Sequence, residues 1–404
     1  MSKAKGSVIG GALLIMGSCI GAGMLALPIL TGIPGFFPSL IMFLISWGFM
    51  LITGLLMVEV MGWFKKPVNL ISMAEKTLGP IGKVLCWILY LFLFYALLVA
   101  YISASGNHVS LFFETLFKFK FSSYLGSFFF VAVFGWLIYL GTKPVDHMNR
   151  YLMVGKILSF ALLVLLGVQY IVPRLLLHYD PKYAFYSFPI LIISFGYHNM
   201  IPVLMKYLDM DRKRVRRSIF IGSFATCLIY LIWEIIALGI LPFQTILHDF
   251  KLNIDAAQAI GTFLGFRWIG LSAQSLAFFA ILTSFLAQAL SITNFLSDGF
   301  KVSRQEREPI LMCLLALIPP LLFSIFFKGI FFKALNFAGG ICAVILFGIF
   351  PALMTWIGRY HQGKLLKDRV IGGRFLLILV FIVALFIFVN EFSSMLHLNL
   401  IPVP

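Results

Sequence analysis

Residues 6–58 carry no charged side chain, and inside that run stands Gly17-Ser18-Cys19-Ile20-Gly21-Ala22-Gly23-Met24-Leu25-Ala26-Leu27-Pro28. A spanning helix needs only about 20 apolar residues, so a run of this length lies in a membrane. Yet three glycines followed by a proline are poor material for a continuous helix. Glycine loses the most backbone freedom on ordering, and proline lacks the N–H that an interior turn uses. Backbone that leaves the helix at membrane depth persists only where protein or a water-lined cavity covers its freed N–H and C=O groups. The stretch therefore either lines a cavity or is a small-residue packing face between helices.

The rest of the chain reads as membrane protein too. It is 61% hydrophobic and 11% charged over 404 residues, too little charge to solvate a surface of that size. Cys19, Cys86, Cys227, Cys313 and Cys342 all fall in apolar segments, with no CxxC and no histidine at metal spacing. They read as small buried hydrophobes, and neither a metal site nor a cofactor is expected. Lys3 and Lys5 before an apolar run resemble a signal peptide. That run, 8–31, is long enough to span and has no good cleavage site, so it reads as the first span.

Eleven spans are expected: about 7–31, 36–61, 84–106, 124–141, 151–173, 184–205, 217–242, 269–297, 309–327, 334–357 and 375–393. The longest loop, 243–268, contains a short amphipathic stretch at 255–265 that could lie over a site. With the N-terminus inside, inside segments carry Lys3, Lys5, Lys65, Lys66, Lys76, Lys83, Lys143, Arg150, Lys156, the cluster at 206–217, Lys301, Arg304, Arg307, Arg359, Lys364, Lys367, Arg369 and Arg374. That is 23 of the 31 Lys and Arg; the outside holds Lys118, Lys120, Arg174, Lys182, Lys251, Arg267, Lys328 and Lys333. The positive-inside rule then sets the N-terminus in the cytoplasm and the C-terminus outside. It also removes nucleic acid as a partner, because the +16 net charge sits where cytoplasmic loops carry it.

A second interrupted stretch, Phe188-Pro189-Ile190-Leu191-Ile192-Ile193-Ser194-Phe195-Gly196-Tyr197-His198-Asn199-Met200-Ile201-Pro202, has the same character. Pro28 and Pro202 are 174 residues apart, and the intramembrane acids Glu59 and Glu234 are 175 apart. Two unusual features at one offset indicate duplication of a five-helix unit, 1–173 and 184–357, with 375–393 as an added helix. Five is odd, so the second copy enters the membrane inverted. Inverted repeats with interrupted first helices are the pattern of secondary transporters with a midplane site.

The restarted half-helices, near Gly23 and Asn199, aim N-termini at that site and suit a carboxylate. The ending halves, near Ser18 and Ser194, present unpaired carbonyls that suit an ammonium group or a cation. One amino-acid head group satisfies both. Substrate contacts are expected from Ser18, Cys19, Gly21, Ala22, Gly23, Met24, Ser194, Gly196 and His198, with Tyr101 and Ser105 on the third span as wall residues. Glu59 and Glu234 are expected to brace the broken helix of their own repeat by accepting its loose N–H groups, or to carry protons. Lys156 either snorkels or stands where a coupling cation would bind, with Thr283 and Ser284 lining the same point. Asn336, Gly339 and Gly340 are candidates for an outer gate.

Gly21-Ala22-Gly23-Met24-Leu25-Ala26-Leu27-Pro28, the Ser194-Phe195-Gly196-Tyr197-His198 break, Ala100-Tyr101-Ile102-Ser103, and Thr283-Ser284-Phe285-Leu286 through Phe295-Leu296-Ser297-Asp298 resemble the bacterial hydroxy and aromatic amino acid permeases of the amino acid–polyamine–cation superfamily, in particular its tyrosine- and tryptophan-specific members. The resemblance runs over nearly the whole chain. It implies an all-α LeuT-type fold of two inverted five-helix repeats plus an eleventh helix, and proton-driven uptake of an aromatic amino acid across the bacterial inner membrane. Gly17, Gly21 and Gly23 carry over to the first break of the family, and Ser194, Gly196 and His198 to the second. One departure is Asn294, where such members carry an acid.

Within this class a serine or threonine carrier, or coupling to sodium, is the alternative. A channel would show a ring of identical polar residues or a repeated filter, and none is present. An enzyme would need clustered His, Asp or Glu near one membrane face, whereas the intramembrane acids are scattered. If the break forms the site, Gly21→Val abolishes uptake while leaving insertion intact. Normal uptake by a correctly inserted variant would move the site elsewhere.

Overall fold

The computed structural model describes residues 6–118, 122–300, 302, 308–327, 329–366, 368–396 and 398. Lys3, Lys5, Lys120, Lys301, Arg304, Arg307, Lys328 and Lys367 lie outside them. Every regular element among the described residues is helical. Eight helices are long and apolar enough to cross a membrane, α1 (Val8–Cys19) and α2 (Gly23–Gly32) make one further bent span, and α5 (Ser123–Tyr139) and α13 (Ile310–Phe326) are shorter apolar helices. Each of the eleven expected spans falls on one of these helices.

The first span breaks where the glycines lie. α1 is opened by Ser7, whose hydroxyl accepts from Gly10 N–H at 2.9 Å. It ends at Cys19, and α2 leaves at 62° to it. The sixth span is likewise divided into α7 (Phe188–Ser194), a single 3₁₀ turn His198–Met200, and α8 (Ile201–Tyr207). Gly21 and Gly196, the glycines inside the two breaks, are 175 residues apart.

Between the breaks run α3 (Phe36–Met61), α4 (Leu70–Phe117), α5 and α6 (Thr142–Gly167). Gly79 interrupts α4 at φ 78°, a conformation glycine tolerates, so 70–78 is a separate short helix of about two and a half turns before Pro80 opens the span. The fifth span starts nine residues earlier than the sequence suggests. The polar stretch 142–150 continues as helix beyond the apolar segment, which lowers Lys156 to about 21 Å along α6 from its first residue. After the second break come α9 (Arg212–Ile240), the surface helices α10 (Phe243–Leu252) and α11 (Ala256–Leu264), and α12 (Arg267–Gly299). α11 is the amphipathic stretch expected near 255–265, opened by Asp255, whose carboxylate accepts from Ala257 and Gln258 N–H. The tenth span is α14 (Phe331–Phe337), a π-helical segment Ala338–Ile349, and α15 (Phe350–Tyr360); α16 (Gly373–Met395) is last.

α1 packs along α9, α12 lies between α6 and α4, and α7 meets the π-helical segment of the tenth span. Gly339 allows the last contact: a Cβ there would run into the Pro189 carbonyl. Whatever gating role Asn336, Gly339 and Gly340 have, the two glycines are needed for this close approach. Gly340 is pressed against Glu391 of α16 in the same way.

Glu59 does not brace the first break. Its two carboxylate oxygens accept from Arg359 Nε and Nη2, both at 2.7 Å, and one also accepts from Val370 N–H at 2.7 Å. The reason is position: Glu59 lies one turn from the end of α3, level with the end of α15 rather than with the membrane middle. Both side chains are buried, so each charge depends on the other. Removing one partner of such a pair is expected to lower stability by about 3–5 kcal/mol. Glu59→Gln should show that loss in thermal unfolding of the detergent-solubilised protein, and Glu59→Met with Arg359→Met should recover much of it. An unshifted melting curve for Glu59→Gln would refute the pairing.

Candidate functional site

A continuous first span would satisfy the carbonyls of Ser18, Cys19 and Ile20 with the N–H groups of Ala22, Gly23 and Met24. None of these bonds forms as in a helix. Met24 N–H turns back to Gly21 O at 3.1 Å, Leu25 N–H goes to Ala22 O at 3.1 Å, and Ala22 N–H goes to Ser284 Oγ on α12 at 3.0 Å. The freed carbonyls are then met by side chains from other spans. Lys156 Nζ on α6 donates to Ile20 O at 2.6 Å. Tyr230 on α9 directs its hydroxyl to Cys19 O at 2.6 Å and to Ser194 O, in the second break, at 3.0 Å. Pro28 adds one more loss, since it has no N–H for the Met24 carbonyl; Trp233 Nε1 supplies that donor at 2.9 Å.

The second break follows the same logic with fewer outside helpers. Phe195 N–H closes on Leu191 O at 3.1 Å and Gly196 N–H on Ile193 O at 3.0 Å, which tightens the end of α7. Met200 N–H goes to Tyr197 O at 2.8 Å as the chain restarts. Tyr197 anchors to α3 by donating to Met50 O at 2.9 Å.

Between the two breaks lies a cavity of about 400 Å³, within the range of small-molecule sites. Ser18, Cys19, Gly21 and Gly23 line it from the first span, Ser194 and Gly196 from the sixth, Tyr101 from α4, Lys156 from α6, and Thr283 and Ser284 from α12. Leu93, Leu97, Ile193, Leu335 and Phe347 give it an apolar wall, and Asn149, Asn199 and Gln288 add amides. It extends along Leu13, Met153, Ala287 and Ser291 toward the face bearing the N-terminus. A wider surface cleft of about 720 Å³ on that face, between Lys65, Arg212 and Asp368, contains none of the broken-helix residues.

Several expected contacts are corrected. Ala22 and Met24 face away from the cavity into packed protein, because the restarted helix turns only Gly23 inward. His198 is also behind the wall: Nε2 pairs with Thr53 Oγ1 at 3.0 Å, and the ring is stacked between Tyr197 and Phe347. Ser105 donates to Tyr101 O within its own helix. Glu234 accepts from Thr31 Oγ1 at 2.7 Å, so it meets the far end of α2 rather than an N–H of the second break. Lys156 does not snorkel; it is 3% exposed, because α6 continues well past it on the N-terminal side.

The glycines have steric reasons that sequence alone cannot supply. A Cβ on Gly21 would stand 2.6 Å from Ser284 Oγ, and one on Gly23 would stand 2.9 Å from Ser194 Oγ. The Gly21→Val substitution therefore strikes the Ala22–Ser284 bond as well as the cavity. Ser194 Oγ is buried without a partner among the described side chains, which makes it a donor available to a ligand. No group of three or more His, Cys, Asp or Glu that could hold a metal ion comes together among the described residues.

Tyr230 and Trp233 were not singled out in the sequence. The signal available was that Tyr230 and Glu234 are one turn apart on α9, hence on the face that meets the breaks. Ser284→Ala leaves Ala22 N–H buried without an acceptor, a loss of about 1–3 kcal/mol. Native-state hydrogen exchange at Ala22 should quicken by about tenfold or more, while amides in the middle of α9 keep their rates. Unchanged exchange at Ala22 would contradict this hydrogen-bond account.

Comparison with known proteins gives the family and the fold. The tryptophan/tyrosine permease family matches residues 4–391. Among curated relatives, the tyrosine-specific transport system 2 of Haemophilus influenzae is 31% identical over 96% of this chain and 97% of its own length. The tryptophan-specific transport protein of Shigella flexneri is 30% identical over 93% and 92%. Among solved structures, MhsT in complex with L-phenylalanine superimposes with a TM-score of 0.61 at 14% identity, covering 97% of this chain and all of that one. The fold is thus the LeuT-type fold, and the chain is a multi-pass membrane transport protein, not an enzyme. It belongs to the tryptophan/tyrosine permease family.

Proposed function

We propose that this protein imports an aromatic amino acid, tyrosine or tryptophan, together with a proton across the bacterial inner membrane by alternating access. The observation that carries the reading is the fixed ammonium of Lys156 on the Ile20 carbonyl, inside a cavity bounded by both breaks. Curated relatives named for tyrosine and for tryptophan transport support the substrate class. The apolar wall of Leu93, Leu97 and Phe347 suits a large ring.

In this reading the substrate head group lies between the breaks. Its carboxylate faces the restarted halves near Gly23 and Asn199, and its ammonium faces the Ser18 carbonyl, which the Ala22–Ser284 bond leaves free. Lys156 in its protonated form supplies the positive charge that a bound metal cation would otherwise bring to the first break. Loss of that proton on the cytoplasmic side removes the positive charge at Ile20, weakens the Lys156–Ile20 bond and loosens the site. The face rich in Lys and Arg is cytoplasmic by the positive-inside rule, so the cavity described above opens inward. The two repeats, 1–173 and 184–357, supply a bundle of the first, second, sixth and seventh spans that rocks against the third, fourth, fifth and eighth.

Uptake of labelled tyrosine, tryptophan and serine into proteoliposomes, with an imposed proton gradient, a sodium gradient or neither, tests this. Aromatic accumulation driven by the proton gradient alone is expected. Lys156→Met should lose gradient-driven accumulation while retaining downhill exchange of the same substrate. Sodium-driven uptake would move coupling to Thr283, Ser284 and the carbonyls of the first break, and indifference to both gradients would remove coupling altogether.

A further inference from the structure

The carbonyls of Cys19 and Ser194 belong to different breaks, 175 residues apart in the chain, yet converge on one atom: the hydroxyl oxygen of Tyr230, at 2.6 and 3.0 Å. We infer that Tyr230 is a positioning residue for substrate binding, the pin that sets the two broken helices at the separation the substrate head group requires. This inference rests on the reading that an amino acid binds between the breaks.

Three observations carry it. Cys19 and Ser194 both line the cavity, and each is two residues from a glycine on the same wall, Gly21 and Gly196. A displacement of either carbonyl is therefore transmitted directly to the cavity wall. The phenol itself is fully buried, with Phe43 and Phe195 rings at 6.5 and 5.4 Å, so its oxygen has a defined place. Tyr230 also stands behind the wall and is not one of the residues lining the cavity, so it acts through the two carbonyls and not by touching a ligand.

The hydroxyl carries a single proton, which it shares between the two acceptors. A water molecule could donate to both, but it would not be fixed to α9. The covalent attachment adds a third body, since Tyr230 ties the first and sixth spans to the seventh and makes the three move together. Neither Lys156 nor Ser284 can do this, because each reaches only the first break.

Tyr230→Phe removes one oxygen and keeps the ring. Equilibrium binding of labelled L-tyrosine and L-tryptophan to the purified full-length protein, at fixed pH and without a gradient, reads the consequence. The dissociation constant is expected to rise by about tenfold or more, with little change in maximal transport rate. A second readout needs no substrate. In a chain whose other four cysteines are alanine, the rate at which a small maleimide modifies Cys19 reports how firmly the first break is held, and Tyr230→Phe should raise it. The control is Tyr95→Phe, which removes the phenol donating to Leu315 O at 2.8 Å, also between two spans but touching neither break and not lining the cavity. It should alter neither readout. An unchanged or tighter dissociation constant together with an unchanged Cys19 rate overturns the proposal, as do equal effects in Tyr95→Phe. If the unmodified protein binds neither amino acid, the substrate reading fails, while the Cys19 rates still decide the role of Tyr230.

Discussion

Unpaired backbone in a membrane interior is the constraint on which this structure depends. Two spans stop and restart at mid-depth, and the N–H and C=O groups they release have no water to turn to. Most of the released groups are met by side chains brought from other helices. Ser284 takes the Ala22 N–H, Lys156 serves Ile20, Tyr230 serves Cys19 and Ser194, and Trp233 makes good the donor that Pro28 lacks. An unpaired buried polar group would cost several kcal/mol in hydrocarbon, so these contacts permit the break to exist. They also dictate which spans surround it: α6, α9 and α12 must all reach the first break at once.

The same contacts decide what is left for a ligand. With the Cys19, Ile20 and Ser194 carbonyls already partnered, what the two breaks still present to the cavity is the Ser18 carbonyl, the glycine-bared backbone at Gly21, Gly23 and Gly196, and the unpartnered Ser194 hydroxyl. Backbone thus forms a polar part of the cavity wall, and Leu93, Leu97 and Phe347 form an apolar part. Far from it, the ion pair of Glu59 and Arg359 fastens the end of α3 to the end of α15, and Val370 N–H adds the chain that leads to α16. Glu59, expected with Glu234 to brace a broken helix, is thus part of a fastening between helix ends.

Much of the fold could be read from the chain because membrane insertion makes hydropathy decisive. The spans, their breaks and the 175-residue offset follow from runs of apolar residues interrupted by glycine and proline. The boundaries that were misread, such as the start of α6, are where helix continues past the apolar segment into polar sequence. The glycines and serines of both breaks, together with Lys156, Thr283 and Ser284, were legible as a group because residues of that kind are anomalous in apolar helices. Glu59, Glu234 and His198 were equally anomalous and misled in detail, since an ionisable residue in a span announces that it has a partner but not which one. Thr31, Arg359 and Thr53 carry no mark of those pairings.

By itself, then, the sequence determined that the chain crosses the membrane repeatedly, that two of its helices are broken at corresponding places, and which backbone groups the breaks release. Only the tertiary structure decided who satisfies them. A phenol on α9, an ammonium on α6 and a hydroxyl on α12 all reach the first break because helix packing brings to it positions more than a hundred residues away along the chain. Periodicity fixes the face of each helix, but the depth and rotation at which two faces meet are set by the packing of all of them together.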